Sequence, residues 1–173
     1  MQRPIFLVGF MGSGKTTWGK KLANALSIPF IDLDHEIVNR IGMDIPSYFK
    51  LHGEDKFRQL ESAMMMEQAD RMGIISTGGG TPCYFQNMEW LLEHGTVVYL
   101  KHSPKSLYSR LSKSDIQKRP ALGGLQGEEL LNFISQKLEE REPFYGQAPI
   151  IVDQINTSLD ELLTIIQQHE ITK

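Results

Sequence analysis

Cysteine is all but missing from this chain: one thiol, Cys83, in 173 residues. That excludes an internal disulfide and suits a reducing compartment, so a cytoplasmic protein is expected. Nowhere do 18 apolar residues follow one another, and Met1-Gln2-Arg3-Pro4 leads straight into a strand-like segment. Neither a membrane span nor a signal peptide is therefore expected. Charge of one sign is lacking too. A net charge of −3 and a pI near 6.0 argue against nucleic acid or an acidic membrane as partner. Repeats, low-complexity tracts and linkers are absent, and the histidines, at 35, 52, 94, 102 and 169, show no metal-ligand spacing. No Asn-Lys-x-Asp segment is present to read a guanine, which argues against a GTP switch. With 40% hydrophobic residues, the length suits one domain over 1–173 with a full core.

What is present begins near the N-terminus. Gly9-Phe10-Met11-Gly12-Ser13-Gly14-Lys15-Thr16 has the spacing of a P-loop. Ile5-Phe6-Leu7-Val8 before it reads as a strand buried on both faces. After it, Trp18, Leu22 and Leu26 mark one face of a helix. Strand, glycine turn and helix together place successive N–H groups around a phosphate at the positive end of the helix. Lys15 would bridge the β- and γ-phosphates of a nucleotide, and the Thr16 hydroxyl would join the shell of Mg²⁺.

Four further strands are predicted, at 28–32, 74–76, 96–100 and 150–152, each separated from the next by helical patterns. One long helix is expected over 54–72, with Phe57, Leu60, Met64, Met65, Ala69 and Met72 inward. Others are expected from Pro104 to Leu111 and over 128–141. The last is expected to start at a capping box, Ser158-Leu159-Asp160-Glu161. Between 112 and 124 the periodicity breaks, as in a mobile loop. The fold class is α/β: a five-stranded parallel sheet covered by helices on both sides.

In such sheets ligands bind beyond the carboxyl ends of the strands. Three strands there end in informative residues: the P-loop, Asp32-Leu33-Asp34, and Gly78-Gly79-Gly80. Strand alternation would set Asp32 and Asp34 on one side with Leu33 pointing away. Asp34 could also simply cap a helix starting at His35, whereas Asp32 has little structural excuse. The glycine triplet suggests close approach of backbone to a ligand. Arg58 and Glu61, one turn apart, read equally as a surface ion pair. Arg141, at the end of a predicted helix, reads equally as a dipole complement. Arg119, just before Pro120 in the irregular loop, suits a closing lid as well as a solvated tip. Cys83 has no histidine nearby in sequence to activate it and is taken as incidental.

The combination resembles the shikimate kinases. It comprises the P-loop through Thr17, Asp32-x-Asp34, Phe57-Arg58-x-x-Glu61, the glycine triplet, Arg119-Pro120-x-Leu122 and Arg141-x-Pro143-x-Tyr145. The likeness runs from about Ile5 to Leu163. It implies a three-layer α/β/α P-loop kinase fold, with a substrate-binding region at about 33–61 and a lid at about 112–124. It also implies transfer of the γ-phosphate of ATP to the 3-hydroxyl of shikimate. Gly12, Ser13, Gly14, Lys15, Thr16 and Thr17 would hold ATP, with Arg119 closing over the phosphates and Asn156 bordering the adenine. Thr16 and Asp32 would serve Mg²⁺. Asp34 would bind the ring hydroxyls and act as base. Arg58 and Arg141 would clamp the substrate carboxylate, and Gly79 and Gly80 would approach the ring. Lys15, Asp34 and Arg119 would be the catalytic groups. ATP and shikimate would be the only partners of a monomer, with neither nucleic acid nor membrane involved. Departures from the family pattern are Trp18, Ala121 and Thr81-Pro82. Another small P-loop kinase, acting on gluconate or a nucleoside monophosphate, is the alternative, followed by a non-catalytic nucleotide-binding switch.

Overall fold

The innermost strand carries no polar side chain. In the computed structural model, which describes residues 3–113, 122–153 and 156–172, Ile5–Val8 forms β1, buried throughout. The other strands are β2 (Phe30–Asp32), β3 (Ile74–Ser76), β4 (Thr96–Lys101) and β5 (Ile150–Asp153). All pairings are parallel, and the order is β2-β3-β1-β4-β5. Eight helices surround the sheet among the described residues: α1 (Lys15–Leu26), α2 (Leu33–Ile41), α3 (Ile45–His52), α4 (Glu54–Met66), α5 (Asn87–His94), α6 (Pro104–Ser112), α7 (Gly127–Tyr145) and α8 (Leu159–Thr172).

The register explains the layering. Phe6 lies beside Ile75 and Val97, so their side chains share one face, while Ile5, beside Ile74, faces the other way. The Phe6 face packs on Leu33 and Ile37 of α2, Phe57, Met64 and Met65 of α4, and Leu130, Ile134 and Leu138 of α7. The opposite face packs on Leu22 and Ala23 of α1 and Leu162 and Ile166 of α8. The result is three layers, α/β/α.

The connection from β1 leads to one side of the sheet and that from β3 to the other. The crevice above the carboxyl ends of these two neighbouring strands is thus the topological switch point.

Three local expectations are corrected. The helix predicted over 54–72 stops at Met66. Gln68 turns back there, its Nε2 donating to the Met64 carbonyl at 2.9 Å, and Met72 ends 51% exposed instead of inward. Strand alternation does not align the two aspartates, because β2 ends at Asp32 and Leu33 opens α2. Asp32, not Asp34, is the N-cap, accepting from the His35 N–H at 3.4 Å. Arg141 does not end its helix, since α7 continues to Tyr145 through Pro143. At α8 the expected capping box forms: Ser158 N–H donates to Glu161 Oε2 at 2.7 Å, and Glu161 N–H to Ser158 Oγ at 3.2 Å. Among the described residues no helix is long and apolar enough to cross a membrane.

Candidate active site

The phosphate loop forms because three of its glycines take left-handed backbone angles, φ +141° at Gly9, +78° at Gly12 and +91° at Gly14. Gly14 is the N-cap of α1 and has no side chain to cap the helix, which leaves the positive end of α1 suited to an anion. Lys15 is 9% exposed, and its ammonium donates to the carbonyls of Gly9 at 2.7 Å and Phe10 at 3.1 Å. Ser13 is buried, and its carbonyl lies 3.2 Å from Nε2 of His102. Thr16 Oγ1 donates to Asp32 Oδ2 at 3.1 Å. The N-cap role therefore leaves Asp32 one oxygen for the threonine that follows the P-loop lysine.

A cleft of about 800 Å³ opens at the switch point. Gly12, Gly14, Lys15, Thr16 and Thr17 line it from one side, Asp32 and Asp34 from another, and Thr77 and Gly79 from the floor. Three strand ends thus converge on one hollow.

Asp34 lines this cleft, reached by solvent although the cleft walls crowd around its carboxyl. Burial, with the carboxylates of Glu61 and Asp32 close by, pushes its carboxyl up from 3.8 to about 6, against the pull of Lys15 and Arg58.

Beyond Gly79 the wall is cationic. Arg58 is not a surface residue: its side chain is 13% exposed, that of Glu61 2%, and their ion pair closes at 2.8 Å. Glu61 also accepts from Thr81 Oγ1 at 2.6 Å. A Cβ built on Gly80 would stand 2.9 Å from Nη1 of Arg58, and one on Gly78 2.5 Å from Oε1 of Glu61. Only glycine admits these side chains so close to the chain.

Arg141 reaches the same place from α7, its guanidinium 5.2 Å from the ring centre of Phe10. Its Nη1 would lie 3.5 Å from a Cβ on Gly79, and it is buried without an acceptor among the described residues. A buried donor left unsatisfied is expensive unless a ligand oxygen completes it. Tyr145, at the end of α7, donates its hydroxyl to the Gly79 carbonyl and ties that helix to the glycine loop.

Two of the expected site residues are not part of this cleft as described. Arg119 and residues 114–121 of the predicted lid lie outside the described residues; its far end is pinned by Leu122, fully buried in the core. Asn156 does not line the cleft. It bonds Asp153 Oδ2 at 2.8 Å and borders a separate shallow groove with Asp160 and Thr164.

Two residues escaped the sequence reading. Arg110 lines the cleft and donates from Nε to the Gly12 carbonyl at 2.7 Å. Nothing in its local pattern marks it, because the contact joins α6 to a loop 98 residues away. Glu61 was read only as a possible partner of Arg58. It lies on the side of α4 that carries Phe57, Met64 and Met65, a position that does not by itself show whether a carboxylate is covered, and its burial makes it the hub of the acceptor side. Cys83, half-buried, has its thiol pushed up to about 11 by burial, which suits an inert role.

A family model described as shikimate kinase matches residues 11–169 of this chain. The chain belongs to the shikimate kinase family. Members of this family are ATP-dependent kinases. The chain is 47% identical over 174 aligned positions to a shikimate kinase of Bacteroides fragilis, covering 95% of this chain and 97% of that one. It is similar in structure to shikimate kinase from Bacteroides thetaiotaomicron, with TM-score 0.85, 41% identity and coverage of 98% and 97% of the two chains. It is also similar to shikimate kinase from Acinetobacter baumannii in complex with shikimate, with TM-score 0.84, 33% identity and coverage of 100% and 96%.

Proposed function

We propose that this chain transfers the γ-phosphoryl group of ATP to the 3-hydroxyl of shikimate, giving shikimate 3-phosphate and ADP. The observation that carries the reading is the buried, acceptor-less Nη1 of Arg141, set beside Gly79 with Arg58 on the next glycine. Two guanidiniums set against adjacent glycines suit a carboxylate, which planar forks bind in two-pronged fashion. Family membership and the shikimate complex of the Acinetobacter relative support the choice of acid.

In this reading the P-loop amides and Lys15 hold the β- and γ-phosphates, with Gly12, Ser13, Gly14 and Thr17 forming the cradle. The Thr16 hydroxyl and the Asp32 carboxylate suit Mg²⁺, which takes few protein ligands and keeps water and phosphate oxygens around it. When bound, the ion supplies charge neutralisation on the phosphates. Asp34 accepts the proton of the 3-hydroxyl as its oxygen attacks the γ-phosphorus, and the bond to the β-phosphate oxygen breaks. A carboxyl near 6 is poised for that exchange at neutral pH. Arg58 and Arg141 fix the ring by its carboxylate, so catalysis comes from placement and charge stabilisation. Arg119 closes over the phosphates from the lid at about 112–124, and residues 33–61 form the acceptor region. A one-domain monomer in the cytoplasm completes the reading.

The test is a panel of acceptors with ATP and MgCl₂, reading ADP release and the position of the new phosphate by ³¹P NMR. Shikimate phosphorylated at the 3-hydroxyl, with gluconate and nucleoside monophosphates at background, is the expected result. Shikimate left untouched while another acceptor turns over would end the proposal.

A further inference from the structure

The guanidinium of Arg58 is held on its edges and on its face by groups outside the cleft lining. Of its five N–H donors, Nε and Nη2 go to Glu54 Oε1, at 3.2 and 3.1 Å, and Nη1 gives one to Glu61 Oε2 at 2.8 Å. Glu61 is buried, whereas the side chain of Glu54 is 53% exposed. An exposed i,i+4 pair of this kind is by itself weak, because both side chains must be held still against water. Glu54 is held. The Tyr84 hydroxyl donates to the same Oε1 at 2.9 Å, and the Tyr84 ring covers the guanidinium with its centre 4.3 Å from Cζ. Phe49 and Phe57 stand farther off, at 5.7 and 5.4 Å.

The chain goes to some trouble to put Tyr84 there. It follows the 3₁₀ turn Thr81–Cys83, which is fastened by Thr81 Oγ1 to Glu61 and by Asn87 Nδ2 to the Thr81 carbonyl at 2.8 Å. The next residue, Phe85, is forced to φ +51° although its side chain is 59% exposed. A bulky residue in left-handed backbone is strained and persists where its surroundings dictate the turn.

We infer that Tyr84 is a positioning residue for acceptor recognition. With Glu54, it clamps face and edge of the Arg58 guanidinium, so that the two remaining N–H donors are presented ready-aimed at the substrate carboxylate. This rests on the reading of Arg58 as a carboxylate grip. Tyr84 acts through Arg58, so its loss weakens acceptor binding and leaves nucleotide binding and the transfer step alone.

The test uses the full chain with Tyr84→Leu, Tyr84→Phe, Glu54→Gln and the Tyr84→Phe/Glu54→Gln double variant. Tyr84→Leu is expected to raise the KM for shikimate about tenfold, the value of one desolvated cation–π contact. The KM for ATP and kcat at saturating shikimate stay within about twofold. Tyr84→Phe keeps the ring and loses the bond to Glu54, so a rise of roughly threefold is expected, smaller when Glu54 is already Gln, whose neutral amide oxygen is the weaker acceptor. An acceptor with hydroxymethyl in place of the carboxylate is expected to be turned over equally by wild type and Tyr84→Leu. Should Tyr84→Leu fail to fold, the Phe variant and the double variant decide alone. A wild type active on shikimate, with Tyr84 variants unchanged in shikimate KM or raised equally in ATP KM, overturns this inference and leaves the function standing. A wild type inert toward shikimate overturns both.

Discussion

At the phosphate end of the cleft, a run of consecutive residues, Gly9 to Thr16, supplies almost every group, most of them backbone N–H and C=O. At the acceptor end, the groups come from α2, α4, α7 and the loop after β3, and nearly all are side chains. The first end is built by local backbone geometry and tolerates little variation in spacing. The second is built by packing, and neighbours hold its groups in place: Glu61 holds Arg58, Thr81 holds Glu61, and Tyr145 ties down the Gly79 carbonyl. Backbone cradles bind what all nucleotides share, whereas propped side chains choose among acceptors.

That contrast can be broken from either side. Lys15→Met strips the phosphate end of its buried ammonium, and a fall in kcat of ~10³ or more is expected, in line with loss of a preorganised phosphate-directed donor. ADP release would measure it, and activity within tenfold of wild type would show that the loop's backbone suffices. Asp34→Asn strikes where the two ends meet. It is expected to lower kcat by ~10² to 10⁴ as a lost base, with the KM for ATP nearly unchanged; a parallel loss of ATP affinity would deny that the ends are separable. Gly80→Ala pushes a methyl to within 2.9 Å of Arg58 Nη1. A roughly tenfold rise in shikimate KM with an unaltered ATP KM is expected, since a small displacement of a positioning group is enough.

The smallest effect concerns stability. The Asp34 carboxyl in the folded chain, near 6, lies above its ordinary 3.8. Its contribution to stability is therefore full below about pH 3.8 and is lost as pH rises through about 6. A dry site would make this ~3 kcal/mol, and cleft water reduces it to ~1 kcal/mol. Asp34→Asn should thus be more stable than wild type by about that amount at pH 8, with the gap closing near pH 4, by urea denaturation. A gap independent of pH would mean that the carboxylate is not strained by its surroundings.

The same division explains which expectations held. β1, the P-loop, α1 and the capping box of α8 were all legible, because each depends on residues within a few positions of one another. The Asp32–Asp34 alternation was misjudged because the cap at Asp32 ends the strand there and Leu33 already opens α2. The Arg58–Glu61 pair looked superficial because spacing on a helix says nothing about which face is covered. Arg110 was invisible, its partner Gly12 lying far off in the chain.

Amino-acid order by itself determined the strands, the glycine cradle, the capping box of α8 and the inventory of charges, since hydrophobic period and backbone permissiveness act over a few residues. Only the tertiary structure decided that Glu61 is buried, that Arg58 and Arg141 converge on adjacent glycines, and that Tyr84 covers one of them. Those facts depend on how α4, α7 and the turn after β3 dock on one face of the sheet, and long-range packing writes no local pattern.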